Sequence, residues 1–170
     1  RSKFGVIFAA AGSHDVGTDY CFRTMMRHYL PRATSLDKNQ QSQVLREIEA
    51  TLPEWTEDTF AGFLLNVISG RIANRMNFGG VNFTVDAACA ASLAALDAAI
   101  GQLRLRTADV MLLGAADVTN NPFCYMSFAK THALSPKGCP RPFDASADGI
   151  ALGETVAGLM LKRLPDAERD

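Results

Sequence analysis

The distribution of apolar residues divides the chain into runs of two periods. Phe4 to Ala10 is a short, nearly continuous apolar run that reads as a buried β-strand, broken by Ala11-Gly12-Ser13. Tyr20 to Leu30 has helical spacing, with a stop expected at Pro31. Asp37 to Leu52 is amphipathic, with Val44, Leu45, Ile48 and Leu52 on one stripe. After Pro53-Glu54-Trp55, Thr56 followed by Glu57 and Asp58 marks a helix start, because a hydroxyl cap and acids suit the positive end of the helix dipole. Thr59 stands where a full capping box has Glu or Gln. This helix is expected to run through Phe60, Phe63, Leu64 and Val67 toward Ile72 and Met76.

Asn77 to Gly80 reads as a turn and Val81 to Val85 as a β-branched strand. Cys89 to Leu103 reads as a helix whose apolar positions Leu93, Leu96, Ile100 and Leu103 step by three or four, with alanine filling the rest. Asp109 to Ala116 reads as a buried strand, Phe123 to Thr131 as a helix, Ser135 to Gly149 as a loop, and Thr155 to Leu164 as a closing strand. The strand-helix-strand unit from Val81 to Ala116 predicts a parallel pair with a right-handed crossover. No repeat and no linker-like stretch marks a boundary within the 170 residues.

Composition narrows the function classes. Apolar residues are 48% and charged residues 21%, ordinary globular values that exclude disordered and fibrous classes. Seventeen basic and eighteen acidic residues leave a net charge of −1 without a basic face, which argues against nucleic acid. No run approaches the length of a membrane span, and Phe4 to Phe8 is too short for a secretory core. Cys21, Cys89, Cys124 and Cys139 show no CxxC spacing and no partnership with His14, His28 or His132. No metal site is expected, and the cysteine usage fits a reducing, cytoplasmic compartment. A phosphate cradle after the first strand is set aside, because neither GxGxxG nor a GKS/GKT motif follows it.

The segment Val85-Asp86-Ala87-Ala88-Cys89-Ala90-Ala91-Ser92 carries the candidate chemistry. A buried strand ends and a helix begins within about three residues, with Cys89 at the junction. Small neighbours permit a sharp turn and close approach of a substrate carbonyl. A helix start supplies free N–H groups that favour a thiolate, and the Cys89 N–H can donate to an oxyanion. The plain alternative is an inert structural cysteine in an alanine-rich core helix.

These residues resemble the β-ketoacyl synthase signature around its acyl-accepting cysteine, Asp-Thr-Ala-Cys-Ser-Ser-Ser-Leu, which here reads Asp86-Ala87-Ala88-Cys89-Ala90-Ala91-Ser92-Leu93. The resemblance extends through Asn66 to Asn74, Ala108 to Ala116, Ala133-Leu134-Ser135, Arg141-Pro142-Phe143-Asp144, Ala147 to Ile150 and Gly153-Glu154, with Phe4 to Gly12 similar to an earlier strand. Asn121-Pro122-Phe123 and Tyr125 to Phe128 are similar to ketosynthases of polyunsaturated fatty acid and enediyne-type polyketide synthases.

The resemblance implies an α/β chain with one half of a thiolase-like fold, layered α/β/α around a mixed, largely parallel sheet, residues 1–170 forming part of a ketosynthase domain. It implies an acyltransferase in which Cys89 takes an acyl group for decarboxylative Claisen condensation with a malonyl-type extender on an acyl carrier protein. Phe128 matches a position that lines the acyl pocket, with a plain core role as the alternative. Asp86 and Glu154 match positions that hold loops near the nucleophile. His14, His28 and His132 match neither decarboxylating histidine, so those histidines are expected outside this chain. No tightly bound cofactor is implied, only phosphopantetheine carried by the acyl carrier protein. The implied partners are that protein, the rest of the domain and a second copy as homodimer, with neither nucleic acid nor membrane. A non-catalytic dimerisation or carrier-docking module is the alternative, and a non-decarboxylating acyltransferase of the thiolase superfamily a third reading. Thr155-Val156 stands where the family usually has glycine-rich sequence, which favours strand over turn. Taken alone, such a half is expected to expose an apolar face.

Overall fold

The computed structural model describes residues 3–12 and 15–170, with Asp15 and Val16 given by backbone alone. Ser13, in the break after the first strand, and His14 lie outside the described residues. The chain falls into two compact units, one of Arg1–Ala11 with Leu65–Asp170 and the other of Gly12–Leu64.

The Gly12–Leu64 unit holds three helices: α1 (Asp15–Ala33), α2 (Lys38–Thr51) and α3 (Glu57–Phe63). Contrary to expectation, Pro31 does not end α1 but lies inside its last turn. There the proline costs a single backbone bond at an end that frays anyway. Asp37 caps α2 by accepting the N–H groups of Asn39 (2.8 Å) and Gln40 (2.9 Å), and Gln40 Oε1 accepts the Asp37 N–H at 3.0 Å. Thr59 replaces Glu in the second cap, its hydroxyl oxygen accepting the Thr56 N–H at 2.9 Å. Tyr20 is buried edge-on against Trp55 and Phe63. Its hydroxyl donates to the Glu54 carbonyl at 2.8 Å, which satisfies the polar end of a buried ring.

The helix expected to continue from Thr56 to Met76 is two helices, because Leu64 is extended (φ −88°, ψ 108°). The break falls where the chain leaves this unit.

In the other unit, the four strands are β1 (Phe4–Ala9), β2 (Asn82–Val85), β3 (Val110–Asp117) and β4 (Thr155–Lys162), in the order β2-β1-β3-β4. β1 runs parallel to β2 and β3, while β4 is antiparallel to β3, so the sheet is mixed and largely parallel. Helix α4 (Leu65–Met76) precedes β2, and α5 (Ala91–Arg104) joins β2 to β3. Strand alternation places these helices on opposite faces. Ile7, Ala9, Phe83, Val85, Met111 and Leu113 pack toward α5. Thr84, one residue out of phase, donates its hydroxyl to the Leu65 carbonyl of α4 at 2.7 Å.

The α5 residues buried on the sheet are Ala91, Ala95, Ala99 and Leu103, spaced by four. The larger Leu93 is 71% exposed. Small residues let the helix backbone lie close to the strands. Helix α6 (Pro122–Lys130), between β3 and β4 in the chain, is capped by Asn121, whose side chain accepts the Cys124 N–H at 2.9 Å. The acid-rich tail forms a short helix α7 (Leu164–Arg169). Arg163 fastens it. Its guanidinium donates to the carbonyls of Leu103 (3.0 Å) and Ala108 (2.7 Å), to Asp109 (2.6 Å) and to Asp166 (2.5 Å). Among the described residues no helix is long and apolar enough to cross a membrane.

Candidate active site

Cys89 lies at the junction read from the sequence, between the end of β2 and the start of α5, within a single 3₁₀ turn of Ala88–Ala90. The thiol is free and Cys89 is exposed. The turn is tight because Ala88 adopts φ +48°, a left-handed conformation that a non-glycine residue enters at a cost. Three hydrogen bonds hold it. Asp86 Oδ1 accepts the Ala88 N–H at 3.0 Å, the Ala87 carbonyl accepts the Ala90 N–H at 3.1 Å, and the Ala88 carbonyl accepts the N–H of Ala91. The Cys89 N–H between them has no hydrogen-bond partner among the described residues. Here a free, exposed thiol and an unpartnered backbone N–H occupy the same residue, with only small alanine side chains on either side. That arrangement lets a carbonyl approach the sulfur while its oxygen turns toward an N–H.

Beyond Cys89, along the first turns of α5, a groove of about 200 Å³ is lined by Ser92, Leu93, Leu96, Gly114 and Leu159 among others. A larger, shallow depression of about 600 Å³ beside α4 and β2, edged by Arg71, Arg75 and Asn82, does not include Cys89.

Apart from Asp86, whose carboxylate holds the turn, the residues singled out from sequence are not joined to the thiol by any hydrogen bond among the described residues. Phe128 is half-buried on α6, and among the described residues no hydrogen bond, ring contact or shared cavity joins it to Cys89. Glu154 Oε1 accepts the Asn120 N–H at 3.1 Å, tying the loop after β3 to the start of β4. His132 is exposed after α6 with φ +57°, and His28 is exposed on α1 beside Tyr29 and Arg32. Cys21 and Cys139 are exposed and Cys124 is half-buried, all three as free thiols.

The loop after α6 is a second organised region. Ser135 is buried, and its hydroxyl donates to Asp148 Oδ1 at 2.7 Å. That bond, with Arg141 at 3.0 Å, holds the Asp148 carboxyl below the usual carboxylate range. The Ser135 N–H donates to the Ile150 carbonyl at 2.8 Å, and the Ile150 N–H to that of Ala133 at 2.9 Å. Asp144 is likewise lowered, by the backbone N–H and then the hydroxyl of Ser146. Neither carboxylate faces a second one as an acid–base pair does. Among the described residues no cluster of three His, Cys, Asp or Glu side chains forms a metal site.

With this geometry in hand, comparison with known proteins is informative. A family profile described as the beta-ketoacyl synthase N-terminal domain matches residues 8–167. One polyunsaturated fatty acid synthase subunit, from Thraustochytrium sp., is 43% identical over 126 residues, 74% of this chain and 4% of that protein. One phenolphthiocerol/phthiocerol polyketide synthase subunit, from Mycobacterium tuberculosis, is 46% identical over 101 residues, 59% of this chain and 6% of that protein. Among solved structures, the ketosynthase from module 6 of the bacillaene synthase of Bacillus subtilis 168 superposes with a TM-score of 0.69 at 25% identity. The match covers 99% of this chain and 23% of that one. The chain therefore spans a small part of the length of the curated relatives.

Proposed function

The chain belongs to the β-ketoacyl synthase family and has its thiolase-like fold, and we propose that within it Cys89 is the acyl-accepting nucleophile. The observation that carries this reading is the exposed thiol on a tight strand-to-helix turn with its own N–H free.

In the proposed step the Cys89 thiolate attacks the carbonyl of an acyl thioester on phosphopantetheine. A bond forms between Sγ and the acyl carbon, and the bond from that carbon to the pantetheine sulfur breaks. The pantetheine leaves as a thiolate and takes a proton from solvent. The Cys89 N–H stabilises the oxyanion between these events. The acyl-enzyme then awaits a malonyl-type extender on an acyl carrier protein, whose loss of CO₂ supplies the carbanion for a decarboxylative Claisen condensation. Neither His28 nor His132 stands in a motif suited to that decarboxylation, so the histidines that drive it are assigned to residues beyond this chain. Phe128 is assigned to the acyl pocket, which the remainder of the domain would close. Homodimerisation and a cytoplasmic location complete the reading.

The test is intact mass after incubation with a short acyl-pantetheine thioester. The expected result is an acyl adduct on the parent that is absent from Cys89→Ala. An adduct that survives in Cys89→Ala, or a folded parent that forms none, refutes the assignment. The second result would favour a non-catalytic dimerisation or docking role for the same fold.

A further inference from the structure

We infer that Asp86 is a positioning residue for Cys89, acting through the left-handed Ala88. This deepens the acyl-acceptor reading and rests on it.

Ala88 has no glycine or asparagine to ease its φ of +48°. A non-glycine residue stays in that region only where its surroundings over-determine it. Of the two carbonyl bonds of the turn, the one from Ala90 to Ala87 spans Ala88 from the helix side, and the one from Ala91 to Ala88 builds the start of α5. The bond that holds Ala88 from the strand side is the one from its own N–H to Asp86 Oδ1. It closes a loop across Ala87, whose own backbone (φ −134°, ψ 34°) belongs to neither strand nor helix. Without it, Ala88 has a cheaper route to an ordinary right-handed or extended conformation, and the peptide between Ala88 and Cys89 rotates. That peptide carries the free N–H that faces the oxyanion. Asp86 thus sets where the N–H points relative to Sγ without touching substrate.

The role needs an acceptor oxygen at this position, not a negative charge. Asn keeps the Oδ1 acceptor and removes the charge, whereas Ala removes both. The two variants therefore separate a hydrogen-bond role from an electrostatic one.

The experiment measures the rate constant of Cys89 acylation at saturating acyl-pantetheine thioester on the intact protein, beside Cys89 alkylation by iodoacetamide followed by peptide mass. Alkylation needs an accessible thiol but no oxyanion donor. Asp86→Ala is expected to lower the acylation rate constant about tenfold, the usual cost of losing one charge-assisted bond. Half-saturation and alkylation should stay within about twofold, and Asp86→Asn should restore acylation to within about threefold of the parent. Alkylation of the half-buried Cys124 reports general loosening and should not rise. Equal acylation by parent and Asp86→Ala overturns the positioning role alone. So does an Asp86→Asn variant as slow as Asp86→Ala, or a parallel fall in alkylation. No adduct on the parent overturns the acyl-acceptor reading, and this role with it.

Discussion

The seating of α5 is open to a direct energetic test, because two candidate stripes compete on one helix. If the larger residues faced the sheet, Leu93 would be a core side chain and Ala95 a bystander. The structure has the reverse, with Ala95 fully buried and Leu93 71% exposed. Full burial of a Leu side chain contributes about 1.5–3 kcal/mol. With less than a third of it buried, Leu93→Ala should cost below about 0.9 kcal/mol, reduced further by the slightly better helix propensity of alanine. Ala95→Val adds two methyl groups against Ile7 and Met111, which are themselves fully buried. Overpacking of that kind costs about 1–3 kcal/mol, and the β-branch adds about 0.6 kcal/mol. A chain of this size unfolds in urea with a slope of about 2 kcal/mol/M. In urea unfolding of the 170-residue chain the midpoint should therefore fall by about 0.8–1.8 M for Ala95→Val and by less than about 0.5 M for Leu93→Ala. Ile7→Ala should cost about 3–4 kcal/mol alone but less than additively with Ala95→Val, because the void receives the new methyls. Equal midpoint shifts for Leu93→Ala and Ala95→Val would refute this seating of the helix.

Other outcomes follow from the same structure. Gly149 has φ +147° and its missing Cβ would collide with the backbone of Leu134 and Ser135, so Gly149→Ala should destabilise by about 2 kcal/mol or more, read by thermal unfolding. Asp109 is held below its ordinary value chiefly by the hydrogen bond from Arg163. A lowered folded-state value means stability that is complete above the unfolded carboxylate range and lost as pH falls through the folded value. The urea midpoint should drop more steeply below about pH 4 in the parent than in Asp109→Asn, and parallel curves would dismiss the link. Leu93, Val156, Leu159 and Met160 are all exposed on one unit, so the isolated chain should self-associate in sedimentation, with Val156→Lys and Met160→Lys together reducing it.

Much of this fold is legible in the sequence. All four strands and the α2 and α6 helices fall within about two residues of where periodicity puts them, because each is a clear apolar run between polar or Gly/Pro breaks. The misreadings have physical causes. Pro31 suggests a helix stop, but a proline in a last turn sacrifices little. The only residue that announces the split at Leu64 is Gly62, two positions earlier and easily read as an isolated glycine within a helix. Helical periodicity continues across it, and only the change of packing partners ends the first helix. On α5 the sequence draws the eye to leucine and isoleucine, yet close approach to a sheet selects the smallest side chains. The tail helix α7 is hidden because its stability comes from Arg163, whose acceptors at Leu103, Ala108 and Asp109 are 54 to 60 residues away along the chain.

The site divides along the same line. The turn that carries Cys89 is legible because a strand end, a helix start and a run of alanines coincide within a few residues, which is local information. Phe128 is assigned by resemblance to a pocket, and a pocket is a property of several elements together. The groove along α5 and the depression beside α4 include neither Phe128 nor Cys89. The left-handed residue is invisible for a different reason. Glycine or asparagine would have signalled it, but alanine at position 88 carries no preference for positive φ. The signal that is present lies two residues earlier, in an aspartate placed to accept the N–H of the strained position. An alanine there in place of glycine has a consequence of its own. It narrows the conformational freedom of the turn but enters φ +48° at a cost, so the turn's hydrogen bonds from Ala88 to Asp86 and from Ala90 to Ala87 have to offset that strain where Cys89 is held.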